Sequence, residues 1–420
     1  MCRMWFVALT CLLAAPAFAQ TRLAIACGSV GIEAQMCREG AEAWARQTGN
    51  SVDLISTPGG STQRLALFQQ LLAARSADID VFQVDVVWPG ILARHLLDLT
   101  GHVDRAILET QFAENIRNNT VAGRLVALPW FTNAGVLYYR RDLLEKYHRP
   151  VPDTWAALAE TAKLIMDAER SHGQGRFWGF VFQGRAYEGL TVNALEWLDS
   201  HGAGTIVAAD GSITVNTPHA AQVLAEAAGW IGSTTPPGVL NYAEEEARGV
   251  FQSGNAVFMR NWPYAWPLMN AGDSPVRDKV GIAPLPSGGQ GGRHSATLGG
   301  EQLAVSRYSK HPDAAISLIT YLTSRPEQKR RAIAGAFNPT YPDLYRDPEV
   351  LAANPFFGPL LTTLQNAVAR PSSVTRGRYN QVSAEFWNAV HEVLSGRRTA
   401  AVALQRLNRI LQRLSRGGRW

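Results

Sequence analysis

Asn261-Trp262-Pro263-Tyr264-Ala265-Trp266-Pro267 sets three aromatic rings within five residues, braced by two prolines. Leu128-Pro129-Trp130-Phe131-Thr132-Asn133 is a second cluster of the same kind. Aromatic faces stack on the apolar C–H faces of a pyranose, while charged and amide groups take its hydroxyls through charge-assisted hydrogen bonds. Both runs read as proline-rigid loops, and loops lie on the surface and carry function. Trp44, Trp155 and Trp230 fall in helical stretches instead and read as core packing.

Other chemistries lack their parts. The sequence has no Gly-x4-Gly-Lys-Ser/Thr loop to cradle phosphates and no Gly-x-Ser-x-Gly nucleophile turn. No His-x-x-x-His pair is present to hold zinc. Glu244-Glu245-Glu246 offers the clustered carboxylates of a glycosidase. Three successive helical residues point in different directions, however, and acids in a first turn read as a solvated helix start. A secreted glycoside hydrolase is the competing enzyme reading. No catalytic residue, cofactor or metal is expected.

The elements that must position the rings follow an α/β rhythm. Strands are expected at 22–27, 52–56 and 80–84, with helices at 33–47 and 62–75 between them. Asp85 then stands at the carboxyl end of a strand, where open α/β sheets bind ligands. A second α/β region begins near Phe131: strands at 135–139, 178–182 and 256–260, helices at 155–170, 223–231 and 244–252. The stretch 283–292 reads as a linker, 303–306 as a strand, and the remainder as helices.

The 420 residues are 46% hydrophobic and include 12 Trp, enough for one large or two medium domains and incompatible with disorder. The net charge of +5 has no dense basic run except Arg413, Arg416 and Arg419, which read as a solvated helix end, so no nucleic-acid partner is expected. Arg3, the apolar run 5–13 and Ala17-Phe18-Ala19 read as a signal peptide cleaved after Ala19. No Cys at that point offers a lipid anchor, and no later apolar run approaches 18 residues, so a periplasmic protein without stable membrane insertion is expected. Cys27 and Cys37 are then the remaining cysteines, and in an oxidising compartment such a pair most often bonds.

Six blocks carry a resemblance that runs in order along nearly the whole mature chain. They are IDVFQVDVVWP at 79–89, AGVLYYRRDLLEKY at 134–147, WGFVFQGRAYEG at 178–189, FQSGNAVFMRNWPYAW at 251–266, ATLGG at 296–300 and NAVARP at 366–371. The chain resembles the family 1 extracellular solute-binding proteins, and within them the trehalose/maltose-binding receptors of sugar ABC transporters. The resemblance implies an α/β, two-lobed, class II periplasmic binding protein, each lobe a doubly wound, mostly parallel sheet with the ligand between them. Lobe one would comprise 20–130 plus 297–337, and lobe two 131–296 plus 338–420. It implies capture of a disaccharide-type sugar without chemistry, hinge closure, and delivery to an ABC permease and its ATPase, the receptor acting as a monomer. Another glucoside, a polyol or a modified sugar is the alternative cargo.

Carried position by position, the resemblance implies contacts from Glu33, Arg64, Asp85, Phe131, Asn133, Tyr187, Trp262, Tyr264, Gly300 and Arg370. Trp387 resembles a stacking Trp of the related maltodextrin receptors. Glu33 and Asp85 would accept hydroxyl protons, Arg64 and Arg370 would donate paired N–H groups, and Trp262 and Tyr264 would stack. Inter-lobe salt bridges are the ordinary alternative for these charges. Two positions depart from the family pattern. Leu298-Gly299-Gly300 is followed by Glu301 where the relatives have Trp, and Asn133 stands where an acid is usual. Glu301 in the cleft would need Arg370, another arginine or the cargo as partner, or else would turn to solvent at the rim.

Overall fold

The computed structural model describes residues 20–28 and 31–420. The expected signal peptide, 1–19, lies outside the described residues. β1 (Arg22–Ala26), β2 (Ser51–Leu54) and β3 (Val81–Asp85) alternate with the helices Glu33–Thr48 and Ser61–Ala73. A small ribbon of β4 (Thr120–Val121) and β5 (Arg124–Leu125) precedes β6 (Leu128–Ala134) and β7 (Val136–Arg140). β8 (Trp178–Val181), β9 (Ala256–Asn261), β10 (Val280–Pro284) and β11 (Leu298–Val305) complete the strands.

Two larger sheets result. The first has the order β2-β1-β3-β11-β6 and the second β10-β7-β9-β8. β1 runs parallel to β2 and β3, whereas β11 is antiparallel to β3 and β6. In the second sheet only β8 and β9 are parallel. The α/β architecture holds, but the sheets are mixed rather than mostly parallel. The hydrophobic rhythm fixes where strands lie; their direction depends on the route of the chain between them, which periodicity does not report.

The core follows from spacing. In the helix Ser61–Ala73, Leu65, Phe68 and Leu72 share one buried face, the recurrence of an amphipathic helix. Phe68 meets Phe82 of β3 edge-on with centroids 4.8 Å apart. The helix Trp155–Ser171 starts where Thr154 accepts a hydrogen bond from the Ala157 N–H, one of the orphan donors of a first turn. Trp155 stacks on Trp230 beside Phe180 and Trp197, so the helical tryptophans pack as core.

The run 128–133 is not a loop. It is most of β6, and its Trp130 is fully buried under the Arg331 guanidinium, 3.7 Å from the ring centroid. Proline in a strand is tolerated where its missing N–H costs no ladder bond; Pro129 sits beside the irregularity between Glu301 and Gln302 in the β6–β11 pairing. β6 pairs within the first sheet through Ala134 and β7 enters the second at Val136. Gly135 lies between them. A Cβ there would stand 2.3 Å from Glu196 Oε1 and 2.4 Å from Arg260 Nη2. A second crossing is pinned at Thr297, whose N–H donates to Glu196 Oε1 (3.1 Å) and whose hydroxyl donates to the Val192 carbonyl (3.0 Å). The stretch read as a linker, 283–292, begins inside the edge strand β10.

Candidate functional site

A cleft with about 630 Å³ of empty space, open solvent at its mouth included, lies between the two sheets. Strand ends build its first wall. β3 delivers Asp85 at its last residue, the turn after β2 leads to Ser61 and Arg64, and the segment after β1 leads to Glu33. β11 runs antiparallel to β3, so its opening residues Gly299, Gly300 and Glu301 arrive at the same end. β6 adds Phe131 and Asn133. Trp262 and Tyr264 follow the carboxyl end of β9, Glu188 and Glu244 open two helices, and Arg370 closes the back.

Ten of the twelve residues proposed from the sequence line this cleft: Glu33, Arg64, Asp85, Phe131, Asn133, Trp262, Tyr264, Gly300, Glu301 and Arg370. Tyr187 and Trp387 do not. Tyr187 is 1% exposed, and its hydroxyl donates to Glu244 Oε2 at 2.7 Å, so it holds a lining residue from behind. Trp387 lies on the buried face of the helix Tyr379–Leu394 and belongs to the core. Its neighbours Phe386 and Val390 are buried on the same helix. The ring carried over from the maltodextrin receptors therefore packs inward here.

Trp262 is half-buried, with one surface over the Arg260 guanidinium at 4.1 Å. Arg260 is fixed by Glu196 through Nε (2.9 Å) and Nη2 (2.5 Å), and by Gln183 through Nη1 (3.1 Å). A cation on an aromatic face, itself locked by a carboxylate, holds the ring plane. The ring also lies on Gly299, where a Cβ would come within 3.0 Å of it. Gly300, at φ +129, has no room for a side chain: its Cβ would stand 2.5 Å from the Phe131 carbonyl oxygen. Its glycine is set by backbone approach between β11 and β6.

Two arginines organise the acids. Arg64 Nη2 meets Glu301 Oε1 at 2.5 Å, and its plane lies 5.1 Å from the Trp88 ring. Arg370 Nη1 holds Glu188 Oε1 at 2.8 Å and its Nη2 holds Asp85 Oδ1 at 3.0 Å. Glu188 also accepts from the hydroxyls of Tyr379 and Ser383. Burial pushes the Glu188 carboxyl up, with Arg370 opposing. Burial pushes Glu301 up to about 8, against the pull of Arg64 and with the push of Asp85 and Glu33. Glu301 therefore does not turn to solvent at the rim, and its arginine is Arg64 rather than Arg370.

Glu188 and Glu244 were not anticipated as lining residues. The acid triplet is more than a solvated helix start: Glu244 takes Tyr187, Glu245 takes the Tyr264 hydroxyl at 2.6 Å, and Glu246 accepts the Ala243 N–H at 2.9 Å. The divergence of three successive side chains was the available signal, because it turns one of them inward. Glu188 carried no signal beyond its place beside Tyr187. Cys27 and Cys37 form a disulfide with Cα atoms 6.4 Å apart, flanking the segment that leads to Glu33. Among the described residues no group of three or more His, Cys, Asp or Glu is placed to hold a metal ion, and no helix is long and apolar enough to cross a membrane.

Known proteins resemble this chain in sequence and fold. Residues 37–329 match the family model of the bacterial extracellular solute-binding proteins. A probable ABC transporter-binding protein of Deinococcus radiodurans is 50% identical over 397 residues, 94% of each chain. The maltose-bound MalE3 of T. maritima is 40% identical, superposes with a TM-score of 0.89, and is covered completely by 94% of this chain. A tagatose-bound solute-binding protein of Thermotoga lettingae, 21% identical with a TM-score of 0.84 over 94% of this chain and all of its own, shares the fold. The Deinococcus radiodurans and Thermotoga lettingae proteins are named as binding proteins of ABC transporters. The chain belongs to the bacterial extracellular solute-binding protein family.

Proposed function

We propose that the cleft captures a disaccharide-type sugar, maltose- or trehalose-like, and hands it unchanged to the permease and ATPase of an ABC importer. The observation that carries this reading is Trp262: a half-buried ring, held flat by Arg260 on one side, in a cleft that also carries carboxylates and arginines. A flat apolar face beside charged hydrogen-bonding groups is what a pyranose requires. The maltose-bound relative at 40% identity supports the same cargo class.

The receptor works as a monomer in the periplasm after cleavage behind Ala19. Its lobes, expected at 20–130 plus 297–337 and 131–296 plus 338–420, close by bending at the crossing segments, the first of which lies at Gly135 because β6 pairs in the first sheet through Ala134. Crossings at Gly135 and Thr297 suit that motion: both pass beside Glu196, which accepts the Thr297 N–H and leaves no room for a side chain at Gly135. Titration calorimetry against maltose, trehalose, sucrose and mannitol tests the reading. One-to-one binding of a disaccharide supports it; binding of mannitol alone would assign the cleft to polyols.

A further inference from the structure

Glu301 is the residue whose surroundings fit least well with an ordinary carboxylate. The β11–β3 register sets it directly opposite Asp85, and like charges facing one another across strands repel. Its Oε1 takes the Arg64 N–H. Its Oε2 is buried and has no hydrogen-bond partner among the described residues, a costly state for an anion's oxygen.

We propose that Glu301 is a specificity-determining residue of the cleft, donating a hydrogen bond from Oε2 to an oxygen of the cargo where a carboxylate would only accept one. The proposal rests on the reading of the cleft as a sugar site. The groups around Glu301 are Asp85 from β3, Glu33 from the helix Glu33–Thr48 and Arg64 from the helix Ser61–Ala73. Phe131, its neighbour on β6, brings no charge. Across the cleft stand Glu188, Glu244 and Arg370. Five acids thus line the cleft beside two arginines, Arg331 adds its charge near Glu33 from outside the lining, and Arg370 is already engaged by Asp85 and Glu188. A proton on Oε2 relieves this surplus without disturbing Arg64, which bonds the other oxygen. Burial and the neighbouring acids favour that proton.

The consequence for selection is chemical. Sugar hydroxyls both donate and accept, but ring and glycosidic oxygens only accept, and they need a donor. A protonated Glu301 supplies one from β11, beside the N–H groups of the arginines. A cationic amine on the cargo would reverse the effect, drawing the proton off.

Maltose and trehalose are the probes, titrated calorimetrically at pH 7 and 9 in buffers of different ionisation heat. For a donor that titrates near 8, affinity falls about tenfold from pH 7 to pH 9 and binding at pH 9 takes up a proton. Glu301→Gln, whose amide donates at every pH, removes the slope and binds about tenfold more tightly than wild type at pH 9. Glu301→Ala loses affinity at both pH values. A flat wild-type profile, proton release on binding, or a slope retained in Glu301→Gln overturns the proposal. Carbon-13 NMR of Glu-labelled unliganded protein, with Glu301→Gln identifying the resonance, reads the proton directly. A midpoint in the ordinary carboxylate range overturns the donor whatever binds; a midpoint near 8 with neither sugar bound supports the donor and defeats only the sugar reading.

Discussion

Arg370 reaches Asp85 at the carboxyl end of β3, Nη2 to Oδ1 at 3.0 Å, and so ties the first sheet to a segment that also grips Glu188 at the start of the helix Glu188–Ser200. The Arg370 side chain is 3% exposed and those of its partners are 13% and 8% exposed. Two acids from opposite sides of the cleft are thereby neutralised by one guanidinium. Arginine suits this because its planar fork bonds both at once and stays charged when buried.

Arg370→Ala leaves Asp85 and Glu188 buried without their cation. Removing one partner of a buried pair costs about 3–5 kcal/mol, so urea unfolding of the unliganded protein should show a loss of that order. Arg370→Lys, a single point charge in place of a fork, recovers part of it. A loss in Arg370→Ala no larger than that of an exposed arginine would show that the bridge contributes little.

The wall around Glu301 makes stability depend on pH. Below about pH 4.5 its carboxyl is protonated both folded and unfolded. As pH rises towards about 8 the unfolded chain releases the proton while the folded protein keeps it. The folded state then binds more protons, so stability falls with rising pH across that window. Glu188 and Glu196, also raised by burial, act in the same direction. Thermal unfolding should show Tm declining from pH 5 to pH 9, and Glu301→Gln should flatten the decline. An equally steep decline in the variant would move its origin to Glu188 and Glu196.

Cys27 and Cys37 close a loop of sequence separation 10 around the approach to Glu33. Reduction should lower unfolding free energy by about 2–3 kcal/mol, the scale for a short loop, and weaken sugar binding by loosening that approach. Thiol titration of denatured, unreduced protein should detect no free thiol; two would contradict the bridge.

Much of this arrangement is legible in the residues, and the illegible parts have physical causes. Asp85 could be placed because a short apolar run ending in an acid marks a strand terminus, the end of an α/β sheet where ligands gather. Trp262 and Tyr264 stood out as rings in a proline-braced turn after a strand. Trp130 looked the same, yet lies in β6 with both faces covered. Two residues of one aromatic run point to opposite sides of a strand, so Phe131 reaches the cleft and Trp130 cannot. Glu188 was illegible because its partners, Arg370 and Tyr379, lie more than 180 residues away in sequence. Trp387 failed as a carried-over contact because its place on the helix Tyr379–Leu394 faces the core.

Trp262 separates ligand binding from folding. The ring is partly exposed and lines the cleft, and Arg260 beneath it stays anchored on Glu196 and Gln183 without it. Trp262→Ala should therefore lose about 2 kcal/mol of sugar affinity, the scale of a hot-spot ring, while its unfolding midpoint shifts little. Normal affinity, or an unfolded variant, would remove Trp262 from the stacking role.

Capture without turnover is tested most directly by calorimetry of the wild-type protein with maltose and trehalose, followed by chromatography of the recovered sugar. The expected result is saturable one-to-one binding of at least one of them, with the sugar recovered intact after prolonged incubation. Release of glucose, or no heat of binding with any disaccharide, would contradict the account.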